Sequence, residues 1–402
     1  MAFNDKPFAY HYEMELEITS LTNQGQGVGR VDNWVVMVPF SIPGERVRAR
    51  IFRNHKNYSE ADLVEVLQAS PHRVSPQCSL FGECGGCQYQ HVEYSEQLQW
   101  KQRQVKELFA HMADLAVEVE EAVPSPRLFG YRSKITPHYR KPRDGTINEI
   151  GFLRPGRRNA IIDVPQCPLA TEAININLPS VRESLRSRAG QLKKGGTLLL
   201  REGFDGVETN PKKIIREKVG ELMFHFPAGE FFQNNPFILP QLVQYVMEQA
   251  KSTGAEYLLD AYCGSGLFAL SGAKKFQEVE GVEISEAAIR WARENAKRNE
   301  IKNIRLTVGD AAEIFAQTTF PPKQTTVVID PPRKGSTPEF LQQLLEYRPG
   351  RVVYVSCNPA TQIRDLKQLD EGGYQLTRLQ PFDLFPQTKH LECVATLDLR
   401  TA

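Results

Sequence analysis

Apolar and polar residues follow three different rhythms along this chain of 402 residues. Between Tyr12 and Ala69 they alternate in short runs: Glu13–Thr19, Trp34–Val38, Glu45–Phe52 and Leu63–Gln68. Turns rich in glycine and proline separate these runs, a pattern that predicts a small β-barrel. Gly25, Gly27 and Gly29 read as turn glycines, because no helix-forming run follows them as a phosphate loop requires. Ser70–Pro76 is a linker with two prolines. Over Glu93–Met112 the rhythm becomes helical, with Leu98, Val105, Leu108 and Phe109 on one face. That helix is expected to run to about residue 115 and to pack on the C-terminal domain. Pro124–Phe226 predicts irregular, β-rich structure.

From Pro227 short β-branched runs alternate with amphipathic stretches. Strands are predicted at Tyr257–Ala261, Glu278–Ile284, Ile304–Val308, Thr326–Ile329 and Arg351–Val355. Helices are predicted at Pro236–Lys251, Gly266–Lys275, Glu286–Asn299, Pro338–Leu345 and Gln362–Leu369. Repeated βα units imply a mostly parallel α/β sheet with right-handed crossovers. The last two runs, Gln375–Phe382 and Glu392–Leu399, add an antiparallel pair. Three domains are expected: a barrel over 9–70, a basic central domain over 78–226, and the α/β domain over 227–402.

Composition narrows the function classes. With 41% hydrophobic and 24% charged residues the chain is globular, and no apolar run is long enough to span a membrane. The first residues, Met1–Lys6, do not read as a signal peptide, so a cytoplasmic location is expected. The net charge of +1 hides an uneven distribution. Arg127, Arg132, Lys134, Arg140, Lys141, Arg143, Arg154, Arg157 and Arg158 are nine cations against Asp144 and Glu149, a local 9 − 2 = +7. Tyr131, His138, Tyr139 and Phe152 are interleaved with them. Cations alternating with flat rings suit a phosphate backbone and unstacked bases.

The candidate chemistry gathers at strand ends, where open α/β sheets bind ligands. The first α/β strand ends in Asp260-Ala261-Tyr262-Cys263-Gly264-Ser265-Gly266, whose glycines let backbone approach a ligand. It lacks the third glycine of a dinucleotide fingerprint. Glu283 ends the second strand, where a carboxylate can accept from a ribose diol, and Asp310 follows the third. Glycine turn and two acids in register resemble an S-adenosylmethionine-dependent methyltransferase. Asp330-Pro331-Pro332-Arg333 and Ser356-Cys357-Asn358-Pro359 end two further strands. A thiolate at Cys357 can add to C6 of a pyrimidine and make C5 nucleophilic. The adduct must then lose its C5 proton, for which Glu392 is the candidate base and His390 its rival.

Four of the seven cysteines have a different pattern. Cys78, Cys84 and Cys87 cluster, Cys167 is remote, and Cys167-Pro168 resembles the Cys-Pro ending of iron–sulfur sites. Zinc sites more often pair two short knuckles, so the spacing favours iron–sulfur over zinc.

Taken together, Phe231-Phe232-Gln233-Asn234-Asn235, the glycine turn, Val282-Glu283, Asp330–Arg333, Ser356–Pro359 and His390-Leu391-Glu392-Cys393 resemble the RNA uridine C5-methyltransferases over nearly the whole chain. The resemblance implies a seven-stranded Rossmann-like sheet and S-adenosylmethionine as cofactor. It implies Cys357 as nucleophile and Glu392 as proton-abstracting base. Gln233, Tyr262, Gly264, Glu283, Asp310 and Asp330 would bind cofactor, with Phe231 and Asp330 near the flipped uracil. Leu267 departs from members that carry a polar residue there. The barrel resembles a TRAM domain, with Arg30, Arg53, His55, Lys56 and Tyr58 as candidate RNA contacts. Barrel plus cysteines resembles the branch acting on 23S ribosomal RNA, which carries a [4Fe-4S] cluster on four cysteines, here Cys78, Cys84, Cys87 and Cys167. Large-subunit rRNA is therefore the expected substrate and the T-loop uridine of tRNA the alternative. A monomer without an obligate protein partner is expected.

Overall fold

The computed structural model describes residues 6–113, 118–142, 144–252 and 254–400. Strands β1 (Glu13–Leu21), β2 (Gln26–Val31), β3 (Trp34–Pro39), β4 (Arg46–Asn54) and β5 (Tyr58–Gln68) close a barrel in the order β1-β2-β3-β5-β4. Alternate residues point inward, and Val36, Val38, Val47, Ala49, Ile51 and Ala61 fill the interior. The glycine reading needs correction. Gly25 alone takes a left-handed turn conformation there, with φ of 78°. Gly27 and Gly29 lie within β2, where a Cβ would collide with Ser41 Oγ and Leu16 Cδ1 respectively. They are glycine because the barrel closes tightly against them.

Helix α1 (Tyr94–Ala113) follows the cysteine-bearing loop. The central region contains β6 (Lys134–Ile135), β7 (His138–Tyr139), β8 (Ile150–Arg154), β9 (Arg157–Asp163), α2 (Glu172–Ser187), β10 (Gly196–Thr197), β11 (Leu200–Gly203) and β12 (Gly206–Glu208). Its strands form small sheets ordered β10-β7-β8-β9 and β12-β11-β6. The hairpin β13 (Ile214–Val219) and β14 (Leu222–Pro227) completes it. Helix α2 escaped the sequence reading because Pro179 lies inside it beside Asn175 and Asn177, all poor helix formers. Packing overrides them. Ile174, Leu178 and Leu185 are buried, and Arg182 donates to the Ile150 and Val164 carbonyls and pairs with Asp163 at 2.8 Å.

The C-terminal region runs α3 (Leu239–Lys251), β15 (Tyr257–Ala261), α4 (Leu267–Gly272), β16 (Glu278–Glu283), α5 (Glu286–Arg298), β17 (Ile304–Val308), α6 (Ile314–Gln317) and β18 (Thr325–Ile329). It continues through α7 (Pro338–Tyr347), β19 (Arg351–Ser356), α8 (Pro359–Glu371), β20 (Tyr374–Phe382) and β21 (Glu392–Leu399). Seven strands are ordered β17-β16-β15-β18-β19-β21-β20. The first five are parallel, and β21 runs antiparallel to both its neighbours. Strands β18 and β19 are buried along their whole length because helices cover both sheet faces. One apolar core gathers α3, α4 and α5, and the other α7 and α8. Val105 and Phe109 of α1 join the second core, so this N-terminal helix packs against the C-terminal sheet. Helix α8 begins at Pro359, three residues before its predicted start, since proline suits the first helical position. Among the described residues no helix is long and apolar enough to cross a membrane.

Candidate active site

Chain register brings the reactive residues together. Ser356 pairs with Cys393 across β19 and β21. The next position along this antiparallel ladder sets Cys357 opposite Glu392, where the strands leave the sheet. The turn after β19 is fixed locally: Asn358 N–H donates to Ser356 Oγ at 3.1 Å. Asn358 Nδ2 and Thr361 Oγ1 both donate to the Arg333 carbonyl at 3.1 Å, which ties the loop after β18 to the cysteine turn.

A cavity of about 920 Å³ opens at these strand ends. Cys357, Glu392, Asp330, Phe231, Gln233, Tyr262, Gly264, Glu283 and Asp310 all line it. All nine residues expected at the catalytic, cofactor and base positions therefore face one space. Phe231 is 76% exposed, unusual for a phenylalanine and suited to stacking. Gly264 and Gly266 take left-handed φ of 53° and 93°, and no atom lies within 4 Å of where a Gly264 Cβ would stand. Backbone is therefore open to a ligand there. Glu283 accepts from the Gly264 and Ser285 amides at 3.2 and 2.9 Å, and Asp310 accepts from the Ala312 amide at 3.0 Å. Below them the buried Asp260 accepts from the Ala269 amide at 2.7 Å and pins the turn to α4.

The electrostatics are those of a crowded, poorly hydrated site. Burial, and then the charge of Glu392, push the Cys357 thiol up to about 11, while Arg333 pulls it back down. Burial holds the Glu392 carboxyl well above the usual range, Asp330 adds to this, and Arg333 opposes it. Burial pushes Asp330 up to about 7. His390 moves the other way: burial, then Arg333 and Lys389, lower it to about 4. Arg333 was not among the residues singled out as functional, although Asp330-Pro331-Pro332-Arg333 carried the signal. Phe385, Thr388 and Trp291 also line the cavity and had no sequence signal of their own.

The four clustered cysteines line a second cavity of about 400 Å³. Burial pushes Cys87 up to about 12 and raises Cys84 and Cys167, and neighbouring thiols of the group add to each shift. Gln90 Nε2 donates to Cys87 Sγ at 3.1 Å, and backbone amides reach Cys84 and Cys167. The structure thus gathers the thiols without closing them around a point. Among the described residues no group of three or more His, Cys, Asp or Glu is drawn together as metal ligands. The expected iron–sulfur domain is therefore present only as a shared thiol cavity. Gly85, Gly86 and Arg132 line both cavities, so the two sites adjoin.

Three cations of the basic stretch are engaged within the protein. Arg127 stacks over Phe237 at 3.8 Å, Lys134 donates to the Gly229 and Glu230 carbonyls, and Arg154 pairs with Glu83 at 3.0 Å. Arg143 lies outside the described residues. On the barrel, His55 stacks on Tyr58 at 4.3 Å and lies 3.2 Å from Glu60, with Lys56 exposed at the same turn. Arg30 is exposed at the far end of β2, and Arg53 lies 3.8 Å from Glu60.

Residues 212–400 match the tRNA (Uracil-5-)-methyltransferase family, and residues 12–64 match the TRAM domain. A tRNA (uracil(54)-C(5))-methyltransferase of Schizosaccharomyces pombe is 43% identical, over 97% of this chain and 79% of that protein. One from Saccharomyces cerevisiae is 34% identical, over 96% of this chain and 74% of that one. Among solved structures, Pyrococcus abyssi tRNA (uracil-54, C5)-methyltransferase in complex with S-adenosyl-L-homocysteine superposes with a TM-score of 0.74 at 26% identity. The match covers 96% of this chain and all of that one.

Proposed function

Because the chain belongs to the RNA uracil-5-methyltransferase family and uses S-adenosylmethionine, we propose that it methylates C5 of the T-loop uridine at position 54 of tRNA, with Cys357 as nucleophile and Glu392 as base. The adjacency of Cys357 and Glu392 at one strand end carries the catalytic part of this reading. The substrate part rests on the two yeast relatives and the archaeal structure, which all act on uracil 54 of tRNA. It replaces the expectation of large-subunit ribosomal RNA.

The cavity fits an adenosyl sulfonium: backbone is open at Gly264, and Glu283 and Asp310 offer carboxylates for ribose and adenine. When bound, S-adenosylmethionine supplies the methyl group. The target uridine leaves its stack to expose C6. Phe231 stacks on the extruded ring, and Asp330 hydrogen-bonds its edge. The Cys357 thiolate forms an S–C6 bond, and the C5=C6 electron pair moves onto C5 and O4. C5 takes the methyl group. A carboxylate at Glu392 removes the C5 proton, the S–C6 electron pair returns to sulfur, and C5=C6 re-forms. Glu392 suits this better than His390: burial makes a carboxylate more basic, whereas His390 at about 4 is a weak base.

The test is a tRNA T-loop transcript carrying 5-fluorouridine at position 54. Fluorine at C5 cannot leave as a proton, so a stable complex forms, with its mass added at Cys357. No complex in the presence of S-adenosylmethionine overturns the mechanism. Methylation of a ribosomal fragment but not of the tRNA transcript would return the substrate to ribosomal RNA.

The donor set at Cys78, Cys84, Cys87 and Cys167 fits an iron–sulfur cluster: four thiols around one cavity, with N–H donors to three sulfurs. Its role in this reading is structural, because methyl transfer moves no electrons. Anaerobically purified protein is expected to contain iron and acid-labile sulfide in equal amounts. Stoichiometric zinc without iron overturns this assignment.

A further inference from the structure

Adjoining the large cavity at Cys357 lies a smaller groove of about 230 Å³. It shares Cys357, Arg333 and His390 with the active site and ends at the barrel turn between β1 and β2, at Asn23 and Gln24. We infer that this groove holds the RNA phosphodiester adjoining the extruded uridine, gripped by Arg333 and Lys389. The inference rests on Cys357 being the nucleophile, which fixes where the uridine lies.

Its walls carry the chemistry of an anion site. No carboxylate lines the groove among the described residues, while Arg333 and Lys389 both do. Neither forms an ion pair among the described residues. They face each other closely enough that Arg333 lowers the Lys389 pKa, second only to burial. Both also push His390 toward its neutral form. Glu392, the carboxylate coupled to Arg333, lines the large cavity and not the groove, so within the groove the two cations leave a positive field that an anion would relieve. Helix α8 adds to it. Its start, Asn358-Pro359-Ala360, opens into the groove, and Asn358 makes no side-chain capping hydrogen bond there. The free amides and dipole of that 13-residue helix point the same way.

Lys389 also donates a hydrogen bond to Gln24 Oε1. The barrel turn thus meets the segment that leads into Glu392. A strand entering the large cavity through its uridine would pass Cys357 and continue along this groove to the barrel. Lys389 is the residue that reaches both.

The test uses the full-length protein, a T-loop transcript and the variants Lys389→Ala, Lys389→Glu and Lys389→Arg. Lys389→Ala should reduce the slope of log Kd against log salt by about one, as expected for one lost phosphate contact. It should raise KM several-fold and leave kcat within about twofold. Lys389→Glu should exceed it, and Lys389→Arg should restore both quantities. A neutral methylphosphonate at the linkage on one side of the uridine should weaken the parent protein as much as Lys389→Ala does, and add nothing in that variant. Unchanged slope and KM in both the Ala and Glu variants overturn the inference, as does full additivity with methylphosphonates on both sides. Failure of the parent protein to form a 5-fluorouridine adduct would strike the reading of Cys357 instead.

Discussion

Cys357→Ala should abolish both methyl transfer and the 5-fluorouridine adduct, whereas Glu392→Gln should abolish turnover but let the adduct accumulate on ordinary uridine RNA. The two residues sit side by side but, in the proposed mechanism, serve opposite ends of the reaction. Without the thiol no S–C6 bond forms, and losing a covalent nucleophile lowers rates on the order of 10⁴- to 10⁶-fold. Without the carboxylate the adduct still forms and still takes the methyl group, but its C5 proton has no acceptor. The loss should be about 10²- to 10⁴-fold in kcat. Glutamine preserves shape while removing charge. Because the Glu392 charge raises the thiol, its removal cannot make the thiolate scarcer, so the first step is not slowed. In the parent protein, adduct formation should rise with pH through neutrality, since a thiol pushed up to about 11 is mostly protonated at pH 7. Denaturing gels of enzyme–RNA complexes, with and without 5-fluorouridine, separate the cases. Turnover in Glu392→Gln within threefold of the parent would assign the proton to another base, with His390 the next to test.

The α/β half was legible because its strands are short, β-branched and buried on both faces, leaving long apolar runs such as Val327-Val328-Ile329. Strand ends then fall at fixed places, and Asp260, Glu283, Asp330 and Cys357 are found by position. Helix α2 was not legible, since Pro179 argues locally against the structure that Arg182 and Leu178 impose from outside. The glycines of β2 looked like turns because sequence cannot reveal that Leu16 and Ser41 lie against them. Arg333 was quoted within a motif and Lys389, one residue before His390, was not; both gained meaning only from the groove. The cysteines were legible as a set, but spacing alone does not say how closely four thiols approach. The substrate was least legible, because the same uridine chemistry can serve several RNAs.

Lys101→Met should destabilise the protein by about 3–5 kcal/mol and lower kcat, because it strands a buried carboxylate beneath the base. The Lys101 and Asp383 side chains are both fully buried and meet at 2.6 Å. They are 282 residues apart in the chain, one on α1 and the other just past β20. Burial draws the Lys101 pKa down, and Asp383 draws it back up. Lys101 Nζ also donates to the His390 carbonyl at 3.0 Å, two residues before Glu392. The same crossover is held by Gln97, which exchanges hydrogen bonds with Gln387 at 3.0 and 3.1 Å, and by Tyr131, which donates to the Pro386 carbonyl at 3.0 Å. The Gln88 and Tyr89 amides, adjacent to Cys87, donate to the Gln387 carbonyl at 3.0 Å. Glu392 is thus aimed by α1 and the cysteine loop as well as by its own strand. If the cost of Lys101→Met is the unpaired charge, adding Asp383→Asn should recover most of the stability, since no charge then remains buried. Urea unfolding of the two single variants and the double variant reads the coupling. A Lys101→Met midpoint equal to the parent's, or a double variant as unstable as the single, would show that the pair does not hold the crossover. Recovery of kcat should lag recovery of stability, because asparagine relieves the buried charge but cannot replace the bond from Lys101 to the His390 carbonyl.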